Sequence, residues 1–490
     1  MKQLTKTDFI QYLNCPNSLW VLKHKPEIFK KYKGEFSLFL EKLVREGYEV
    51  EEYVLKMFPD CSDLKNVSPN DVNEFVELPG YYEQVSIKTE SGLYARLDII
   101  EVHDDKSFTI YEIKSSTSIK KDKTHNHLKD IAFQKHVVET AGFVVRDVVH
   151  IHLNKDFCKN GEINVHELVV KENVNEMIDG IFDQTILEID EALKFINKES
   201  INENRCDCLE KTRSNHCDTF EYFNQNIPDY PIYELNRISI KKIQTLQDMG
   251  VMSILDIPMD FELSPFQELQ REVVRDEQGI RDDESIKETL DKLEYPLYFF
   301  DYETLPFAVP RVEGFSPHQH LPVQYSLHTV HEDGKIVHTE YLASELAPPI
   351  KLIEQMKSEI GKTGTLISWY ASFEQTRNRE MAKMYPIHAD FLNDINIRTF
   401  DLMDIFKKGF VHRDFHGSQS IKKIQPVLVP DLSYKLLDVQ NGTMAVDAAE
   451  RLFEMTDDAE IKDLRDKMLE YCKLDTLAMV RIWEELRSDK

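Results

Sequence analysis

The sequence has no long hydrophobic run, and this absence excludes several classes of protein. The 490-residue chain contains no stretch of about 18 apolar residues, the length that a membrane-spanning helix needs. Residues 1–12 also lack the apolar segment of a secretory signal. We therefore expect a cytoplasmic protein that has no membrane partner.

Glycine and proline are scarce, which argues against a fibrous or disordered chain. There are 16 Gly and 19 Pro in 490 residues, and no low-complexity tract interrupts them. With 41% hydrophobic and 30% charged residues, the composition is typical of a folded globular protein. A prior of about 150 residues per domain predicts at least two domains.

The chain also has fewer basic than acidic residues. Sixty Lys and Arg stand against 87 Asp and Glu, which gives a formal net charge of -27. Phosphate contacts normally come from Lys and Arg, so this balance does not favour a surface that binds nucleic acid throughout. Bound divalent cations can offset clustered carboxylates, and a local basic groove can coexist with an acidic surface. Charge alone therefore indicates no substrate.

The seven cysteines are few and odd in number, which argues against a disulfide framework in a chain without a signal peptide. Cys61, Cys158 and Cys472 are expected to be buried small apolar residues. The other four fall into an N-terminal single and a later cluster, for which metal ligation or plain burial is expected.

The first half of the chain has the pattern of a helix, a hairpin, a helix and a further strand. Apolar spacing predicts the first helix, whereas β-branched and aromatic residues mark the strands. A polar turn at 103–107 joins the hairpin, and Gly142 is expected to end the second helix. The predicted elements are a helix over 36–57, strands over 94–100 and 108–113, a helix over 128–140 and a strand over 144–153.

The hairpin carries the first set of candidate catalytic residues. Asp98 lies near the end of one predicted strand, while Glu112 and Lys114 are two residues apart on its partner and so share a face. Two carboxylates can hold Mg²⁺, which polarises a phosphate and activates water, and a nearby Lys can stabilise developing charge. A solvated polar stripe on an amphipathic strand is the alternative interpretation.

This arrangement resembles the RecB-like branch of the PD-(D/E)XK nucleases over roughly residues 5–220. The resemblance implies a restriction-endonuclease-like domain, here placed at residues 1–225, with Asp98, Glu112 and Lys114 as its catalytic residues. It also implies a further acid after a glycine in the preceding helix, for which Glu51 is the nearest match as a metal ligand. The branch has a glutamine on the next helix followed by an aromatic residue, and this chain has Gln134 but Val138.

Members of that branch related to CRISPR adaptation nucleases and AddB-type helicase-nucleases often carry a 4Fe-4S cluster. The resemblance implies that its ligands here are Cys15, Cys206, Cys208 and Cys217. The C-x-C spacing departs from the usual C-x2-C of that branch. Zinc bound by three of these cysteines with His216 is an alternative, as are unliganded thiols.

The middle of the chain, residues 226–292, is predicted to be a helical connector. It follows a helical stretch over 173–197, and no strand signal is found over 240–290. Within it, residues 240–257 have the pattern of a helix, a turn at Gly250 and a short helix. That unit is interpreted either as a spacer or as a small nucleic-acid-binding hairpin.

A second α/β unit is predicted over residues 293–490. Its strands are expected to begin at Tyr295 and to cover 324–330, 335–342 and 366–370, and its last helix to cover 457–486. The first strand brings Asp301 and Glu303 to one face, and the last helix places Tyr471 and Asp475 one turn apart. Such carboxylates can hold two metal ions for phosphodiester hydrolysis, and a tyrosine can position the attacking water.

These motifs resemble the DnaQ-like, DEDDy class of 3'-to-5' exonucleases on an RNase H-like fold. The third acid of that class follows a phenylalanine, and Glu374 holds this place after Phe373, with Glu instead of Asp. Asp401 is a second candidate. The resemblance implies that Asp301, Glu303, Glu374 and Asp475 bind metal and that Tyr471 assists.

The segment 415–421, followed by Lys422 and Lys423, combines glycine, hydroxyls and cations that suit a backbone phosphate. A helix N-cap at Ser418 or Ser420 is an equal alternative. The whole chain resembles a bacterial family that fuses the two nuclease types and carries this Gly-Ser-x-Ser-Ile-Lys motif.

The sequence thus predicts a nuclease that uses Mg²⁺ or Mn²⁺ at two sites, one of them a 3'-to-5' exonuclease. DNA repair and antiviral defence are the settings considered, and DNA is favoured over RNA as the partner, with no protein partner indicated. An RNA-processing nuclease is one alternative. A nucleic-acid-binding protein with only one active half, or with no catalysis at all, is another.

Overall fold

The computed structural model describes residues 2–33, 38–122, 126–277, 279–434 and 437–488. It is a mixed α/β structure, as the sequence predicts. Two compact units divide the chain near residue 226. The first comprises Met1–Asn226, Phe307–Pro310 and Ser316–His318, and the second comprises Ile227–Pro306, Arg311–Phe315 and Gln319–Lys490. No helix among the described residues is both long and apolar enough to cross a membrane.

The first unit is built on a mixed sheet. Its strands are β1 (Leu4–Thr5), β2 (Ser62–Asp63), β3 (Gly80–Lys88), β4 (Leu93–Val102), β5 (Ser107–Lys114), β6 (Val144–Leu153) and β7 (Val169–Asn173). They follow the order β2-β3-β4-β5-β6-β7, with β1 pairing β4. The central β3, β4 and β5 are antiparallel, whereas β5 and β6 are parallel. A parallel pair needs a crossover connection, and a helix supplies it here.

The helices of this unit cover both faces of the sheet. They are α1 (Lys6–Asn14), α2 (Pro16–His24), α3 (Pro26–Lys33), α4 (Leu38–Leu55), α5 (Val72–Phe75), α6 (His127–Thr140), α7 (Val165–Leu168), α8 (Asn175–Asp179), α9 (Phe182–Ile196) and α10 (Phe220–Phe223). Because side chains alternate along a strand, Ile113 of β5 packs in one apolar cluster with Val50 and Val54 of α4. Ile110 packs in another with Phe133 of α6, the crossover helix.

Most elements predicted for this unit are confirmed with shifted ends. The helix predicted over 36–57 is α4, and residues 36 and 37 lie outside the described part of the chain. Gly142 ends α6 with a φ of 94°, a backbone conformation that favours glycine. The helical stretch predicted over 173–197 is divided into α8 and α9 at Gly180, since glycine is a poor helix former.

The second unit has its own sheet. Its strands are β8 (Ile280–Arg281), β9 (Leu297–Pro306), β10 (His320–Val330), β11 (Ile336–Leu342), β12 (Thr365–Ser368), β13 (Thr399–Asp401) and β14 (Phe410–Val411). The main sheet has the order β11-β10-β9-β12-β13. Strands β9, β10 and β11 are antiparallel, whereas β12 runs parallel to β9 and to β13. The central position therefore belongs to β9.

Helices pack on both faces of β9. The helices of the unit are α11 (Ile240–Asp248), α12 (Pro265–Asp276), α13 (Asp283–Leu290), α14 (Ile350–Glu359), α15 (Ser372–Met384), α16 (Ala389–Ile397), α17 (Ile405–Lys408), α18 (Ile421–Leu428), α19 (Gly442–Leu452) and α20 (Asp458–Arg487). Phe299 lies in a cluster with Trp483 of α20, while Phe300 lies in a different one with Met356 of α14. By the alternation of side chains, Asp301 and Glu303 share the face of Phe299, towards α20.

Three predictions for this unit need correction. The absence of strands over 240–290 is wrong, because β8 pairs with β14, a partner far along the chain that leaves no local signal. The first strand does not begin at Tyr295 but at Leu297, and it runs beyond the acids to Pro306. The strand predicted over 366–370 ends at Ser368, because Tyr370 adopts a left-handed φ of 64°.

Candidate metal centres

Glu112 is the centre of the acidic cluster in the first unit. Strand β5 buries its side chain completely. Its Oε1 atom accepts from the ammonium groups of Lys6 at 2.9 Å and Lys114 at 2.5 Å, and its Oε2 atom accepts from Nε2 of Gln134 at 2.7 Å. The structure therefore brings three of the predicted residues together and adds Lys6, which the sequence analysis did not identify.

Asp130 is a second residue of this cluster that the sequence analysis missed. It lies on α6, one turn before Gln134, whose Nε2 atom is 3.4 Å from Asp130 Oδ1. Lys114 donates to Asp130 Oδ2 at 2.8 Å while it also contacts Glu112. The spacing of four between Asp130 and Gln134 puts both on one helix face and could have indicated this role.

Asp98 lies beside Glu112, on the neighbouring strand. Its Oδ2 atom accepts from the backbone N–H of Ile113 at 2.8 Å. Burial and the nearby charge of Glu112 raise the pKa of Asp98 to about 7. Asp98 and Glu51 of α4 both line a cleft of about 460 Å³. Burial and the charge of Glu112 also raise the pKa of Glu51. Glu51 is thus placed near the other two acids.

The charges within the cluster compensate one another only in part. Burial alone would raise the pKa of Glu112, but Lys114 and Lys6 hold it well below the usual range. The pKa of Lys114 is raised well above its ordinary value by Asp130 and Glu112, although burial opposes this shift. An ionised Glu112 with Asp98 and Glu51 nearby offers hard oxygen ligands that suit Mg²⁺ or Mn²⁺.

Two buried histidines lie close to this cluster and were not identified from the sequence. His150, on the strand next to Glu112, has its Nε2 atom 3.1 Å from Nδ1 of His127. Burial and the charge of His127 lower the pKa of His150 to about 3, so its imidazole is neutral at physiological pH. The His150 ring therefore borders the acids as an uncharged polar group.

The four cysteines form a second candidate centre in the same unit, which we call the four-cysteine group. All are buried, and their sulfur atoms lie within 4.8 Å of one another. The members are Cys15, Cys206, Cys208 and Cys217. The group could bind a metal ion or a cluster. Despite the C-x-C spacing, both sulfurs of that motif reach the group.

His216 has a different environment from the cysteines. Its ring stacks on Phe220 with centroids 3.6 Å apart, and its Nε2 atom is 3.3 Å from the carbonyl oxygen of Lys211. The ligand set that the structure assembles is therefore four sulfurs, not three sulfurs and this imidazole.

The prediction that the three remaining cysteines are all buried is wrong for two of them. Cys158 is exposed in the loop after β6, and Cys61 is half-buried. Cys472 is buried on α20, and its sulfur lies 4.0 Å from Oδ2 of Asp301. A neighbouring thiol at the second acidic site was not expected from the sequence.

In the second unit, candidate acidic ligands lie on β9 and on α20, the helix that packs against it. Ligand atoms of Asp301, Glu303 and Cys472 all lie within 4.8 Å of one another. The carboxyl group of Asp475 lies near both acids, and its charge contributes to raising their pKa values. Burial is the main cause: it raises the pKa of Asp301 well above the usual range and that of Glu303 to about 8.

Two phenols and one ammonium group surround Asp475. Tyr434 donates to Asp475 Oδ1 at 2.6 Å, and hydrogen bonding also links Tyr471 to Asp475. Lys422 donates to the hydroxyl of Tyr471 at 3.3 Å, and its charge lowers the pKa of Asp301 and Glu303 against the effect of burial. Tyr434 was not identified from the sequence, because it lies in irregular structure between α18 and α19.

Glu374 approaches the site from the first turn of α15. Its charge raises the pKa of Asp301, so the two carboxyl groups are near each other. Burial, followed by the charge of Asp401, raises the pKa of Glu374 to about 8. Its Oε2 atom is buried and has no hydrogen-bond partner among the described residues. A buried, unpartnered carboxylate oxygen beside other carboxyl groups is the environment expected of a cation ligand.

Asp401, the second candidate for the third acid, has a structural role. Its Oδ1 atom accepts from the backbone N–H groups of Tyr370 at 2.9 Å and Met403 at 3.1 Å. It thereby supports the left-handed turn that leads from β12 into α15. Glu374 stays the first candidate for the third acid, and Asp401 the second.

The segment 415–421 precedes α18. Ser420 holds the N-cap position, but its hydroxyl makes no capping hydrogen bond within the described part of the chain. Gly417 has a φ of 69°, and a Cβ atom there would lie 2.3 Å from the carbonyl oxygen of Glu234. This close approach explains the glycine of the motif. Lys422, in the first turn of α18, donates a hydrogen bond to the hydroxyl of Tyr471.

Comparison with known proteins assigns no activity to the chain. Residues 298–420 match a family described as a domain of unknown function (DUF2779), a range that includes Asp301, Glu303 and Glu374. The uncharacterized protein MG366 homolog of Mycoplasma pneumoniae is 25% identical over 228 residues, which are 42% of this chain and 34% of that protein. The uncharacterized protein MG366 of Mycoplasma genitalium is 23% identical over 227 residues, with the same coverage. The chain thus spans about a third of the length of these curated relatives.

Proposed function

We propose that this protein is a metal-dependent nuclease with one acidic site in each unit. The observation that carries the proposal is a set of four carboxyl groups around β9, one buried and three partly buried, whose pKa values are all raised. The members of the set are Asp301, Glu303, Glu374 and Asp475. Among the described residues, the Oε2 atom of Glu374 has no hydrogen-bond partner. Holding four acids together in a site that is at least partly buried is costly without cations, so a folded chain that keeps them is expected to use them as ligands.

The second unit is proposed to be an exonuclease of the DnaQ-like, DEDDy type on an RNase H-like fold. In support, the acids come from a central strand, the first turn of α15 and a C-terminal helix, and the sheet has the order β11-β10-β9-β12-β13. Mg²⁺ or Mn²⁺ bound there would polarise the phosphate and make water a better nucleophile. Removal of nucleotides from a 3' end is the activity that this class implies.

The residues around the acids have separable roles in this proposal. The hydroxyl of Tyr471 would orient the attacking water; in support, it adjoins Asp475 and accepts from Lys422. The hydrogen bond from Tyr434 fixes the rotamer of Asp475, which makes Tyr434 a positioning residue. Lys422 supplies positive charge in an otherwise acidic site and suits the phosphate of the substrate.

The first unit is proposed to be a RecB-like PD-(D/E)XK nuclease with a restriction-endonuclease-like core. In support, β3, β4 and β5 form an antiparallel group followed by a crossover helix and the parallel β6. Asp98, Glu112 and Glu51 would hold the metal ion. Lys114 stays protonated beside Glu112 and can stabilise negative charge on the phosphate, while Gln134 and Asp130 position the pair.

A 5'-labelled single strand of DNA tests the second site. We expect Mn²⁺ or Mg²⁺ to produce a ladder of shortened labelled strands, which is the pattern of 3'-to-5' removal, and EDTA to abolish it. In a Glu112→Gln background, where the first site cannot cut the strand internally, Asp301→Asn should lose the ladder, whereas Asp291→Asn, which replaces an exposed acid at the end of α13, should keep it. A full ladder from Asp301→Asn would refute this role.

Circular DNA tests the first site, because a circle has no 3' end. We expect metal-dependent cleavage of single-stranded circles that the Glu112→Gln variant loses and the exposed-site control Glu176→Gln retains. If the circles stay intact under every metal while the ladder forms, the first unit has no endonuclease activity, and trimming of linear ends would be its remaining role.

The same assays test two alternatives: an RNA substrate instead of DNA, and a protein in which only one unit is active. Matched RNA strands decide the substrate, since the proposed ligands neither read nor exclude a 2'-hydroxyl. Nucleic-acid binding without cleavage by one unit would make that unit a binding module. DNA repair or antiviral defence remains the proposed setting.

A further inference from the structure

The sulfur atoms of the four-cysteine group are packed closely enough to decide between two kinds of metal centre. All four lie within 4.8 Å of one another. The group is thus compact, with every sulfur close to the other three.

This size fits one ion. Zinc binds sulfur at about 2.3 Å, so four sulfurs around a single tetrahedral zinc ion lie about 3.8 Å apart. In a 4Fe-4S cluster each cysteine binds a different iron atom at a corner of the cube, which places the sulfurs roughly 6 Å apart. The observed limit of 4.8 Å leaves room for the ion but not for the cube.

We propose that the four-cysteine group binds a single zinc ion and not the iron-sulfur cluster that its resemblance to other nucleases implies. Four thiolates in tetrahedral geometry are the ligand set of structural zinc sites, which are closed to substrate. The inference concerns the first unit's fold and does not depend on the proposed nuclease activity.

The local backbone explains how a C-x-C motif can supply two ligands to one ion. Cys206 is extended, with a φ of -128°, and the next four residues form a short 3-10 helix that includes Cys208. The turn begins with a hydrogen bond from the N–H of Leu209 to the carbonyl oxygen of Cys206, 3.2 Å long. The change from extended to helical backbone brings both sulfurs to the same side.

Polar groups next to the sulfurs suit thiolates. Asn224 donates to the sulfur of Cys206 at 3.4 Å, and the hydroxyl of Thr219 lies 3.7 Å from the sulfur of Cys217. The positive charge of Lys211 contributes to lowering the pKa of Cys208, after the hydrogen bonds from the other thiols. Four thiolates on a divalent ion carry a net negative charge, which these donors and this cation offset.

The ion would join two distant parts of the chain. Cys15 lies at the junction of α1 and α2, whereas the other three lie in a segment whose only regular structure is short 3-10 helices. Lys211 and Asn14, which are 197 residues apart in sequence, are also hydrogen-bonded there at 3.3 Å. Closing so long a loop with a metal ion stabilises the folded state.

Elemental analysis of the full chain tests the proposal. The protein is produced with both zinc and iron in the medium, purified without oxygen, and assayed for zinc, iron and acid-labile sulfide. We expect about one zinc ion per chain, no sulfide and no broad visible absorption. The Cys208→Ser variant should lose the zinc, whereas Cys158→Ser, which replaces an exposed cysteine, and Asp301→Asn should retain it.

Cobalt substitution keeps the test decisive if Cys208→Ser fails to fold. Co²⁺ exchanged into the wild-type chain should give the intense visible bands of tetrahedral cobalt with sulfur-to-metal charge transfer. Iron with an equivalent amount of sulfide would overturn the proposal, as would iron without sulfide. Protein that binds neither metal, or cobalt bands of octahedral type, would overturn it as well.

Discussion

The hydroxyl of Tyr434 donates a 2.6 Å hydrogen bond to Oδ1 of Asp475. Burial raises the pKa of Asp475, and the hydrogen bonds from Tyr434 and Tyr471 partly reverse this shift because they stabilise the carboxylate. Asp475 is therefore held in a fixed orientation and in a state suited to bind a cation, by a residue from outside the motifs of the sequence.

Replacement of Tyr434 by phenylalanine should weaken the second site without unfolding it. Loss of a hydrogen bond to a charged group costs about 1.5–3 kcal/mol, so we expect a 10-fold to 100-fold loss of exonuclease rate and a higher Mn²⁺ requirement. Tyr385→Phe is the matched control, since its buried hydroxyl has no hydrogen-bond partner among the described residues. Equal exonuclease rates and Mn²⁺ titrations for the two variants would contradict the positioning role.

The metal-free protein should become less stable as the pH rises, because Glu303 and Glu374 must then ionise in a site that favours their protonated forms. Burial raises the pKa of Glu303 and Glu374 to about 8, whereas a glutamate in the unfolded chain titrates near pH 4.3. Between about pH 5 and 8 the folded state therefore holds more protons, and the free energy of unfolding falls with increasing pH. Thermal unfolding in EDTA across this range measures the effect.

Divalent cations should reverse that trend. A bound ion favours the ionised carboxyl groups, so saturating Mn²⁺ should raise the melting temperature most at pH 8, and binding should release protons. The Glu303→Gln/Glu374→Gln double variant should lose the part of the pH dependence that these two acids supply, while Asp301 and Asp475, whose pKa values burial also raises, keep the remainder. A wild-type profile that is the same in EDTA and Mn²⁺ would show that the acids hold no cation.

Glu374→Gln should raise the stability of the metal-free protein but lower its exonuclease activity. Burial raises the pKa of Glu374 to about 8, so the metal-free chain must protonate this group when it folds at neutral pH, and its replacement by glutamine is expected to stabilise the metal-free protein by roughly 1–3 kcal/mol. The same change removes a proposed metal ligand, so exonuclease activity should fall at least 100-fold, within the range that one such group commonly supplies. Melting temperatures in EDTA and single-turnover rates in Mn²⁺ measure the two effects, and a destabilised yet fully active variant would contradict both expectations.

Asp130→Asn should slow cleavage at the first site through its effect on Lys114. The salt bridge of 2.8 Å holds this ammonium beside Glu112, so its loss should lower kcat about 10-fold and change KM little. Asp190→Asn on the exposed surface of α9 is the control, and Asp130→Glu should recover part of the rate. A lower kcat in the control as well, or a rise in KM alone, would show that Asp130 does not position Lys114.

The sequence predicts residues well where strand or helix periodicity brings them together. Glu112 and Lys114 share a face because they are two residues apart on β5, and Tyr471 and Asp475 share one because they are a turn apart on α20. Glu374 was placed from its position early in a helix after a strand. In each case a local pattern determines which way the side chain points.

The residues that were missed reach their sites through tertiary contacts. Lys6 contacts Glu112 from α1, and Tyr434 contacts Asp475 from irregular structure, so no spacing in the sequence signals either of them. The pairing of β8 with β14 is of the same kind, with two residues on each strand. Long-range contacts of this sort depend on the whole fold and leave no periodic trace.

Cleavage assays with four proteins distinguish two active sites from one or none: the wild type, Asp98→Ala, Asp301→Ala and the double variant. Each is incubated with circular and 5'-labelled linear DNA in Mg²⁺, Mn²⁺ or EDTA. We predict that Asp98→Ala loses only the internal cleavage seen with circles, that Asp301→Ala loses only the stepwise 3'-to-5' shortening, and that the double variant is inactive. Absence of cleavage by the wild type in any metal, or full activity of the double variant, would contradict this prediction.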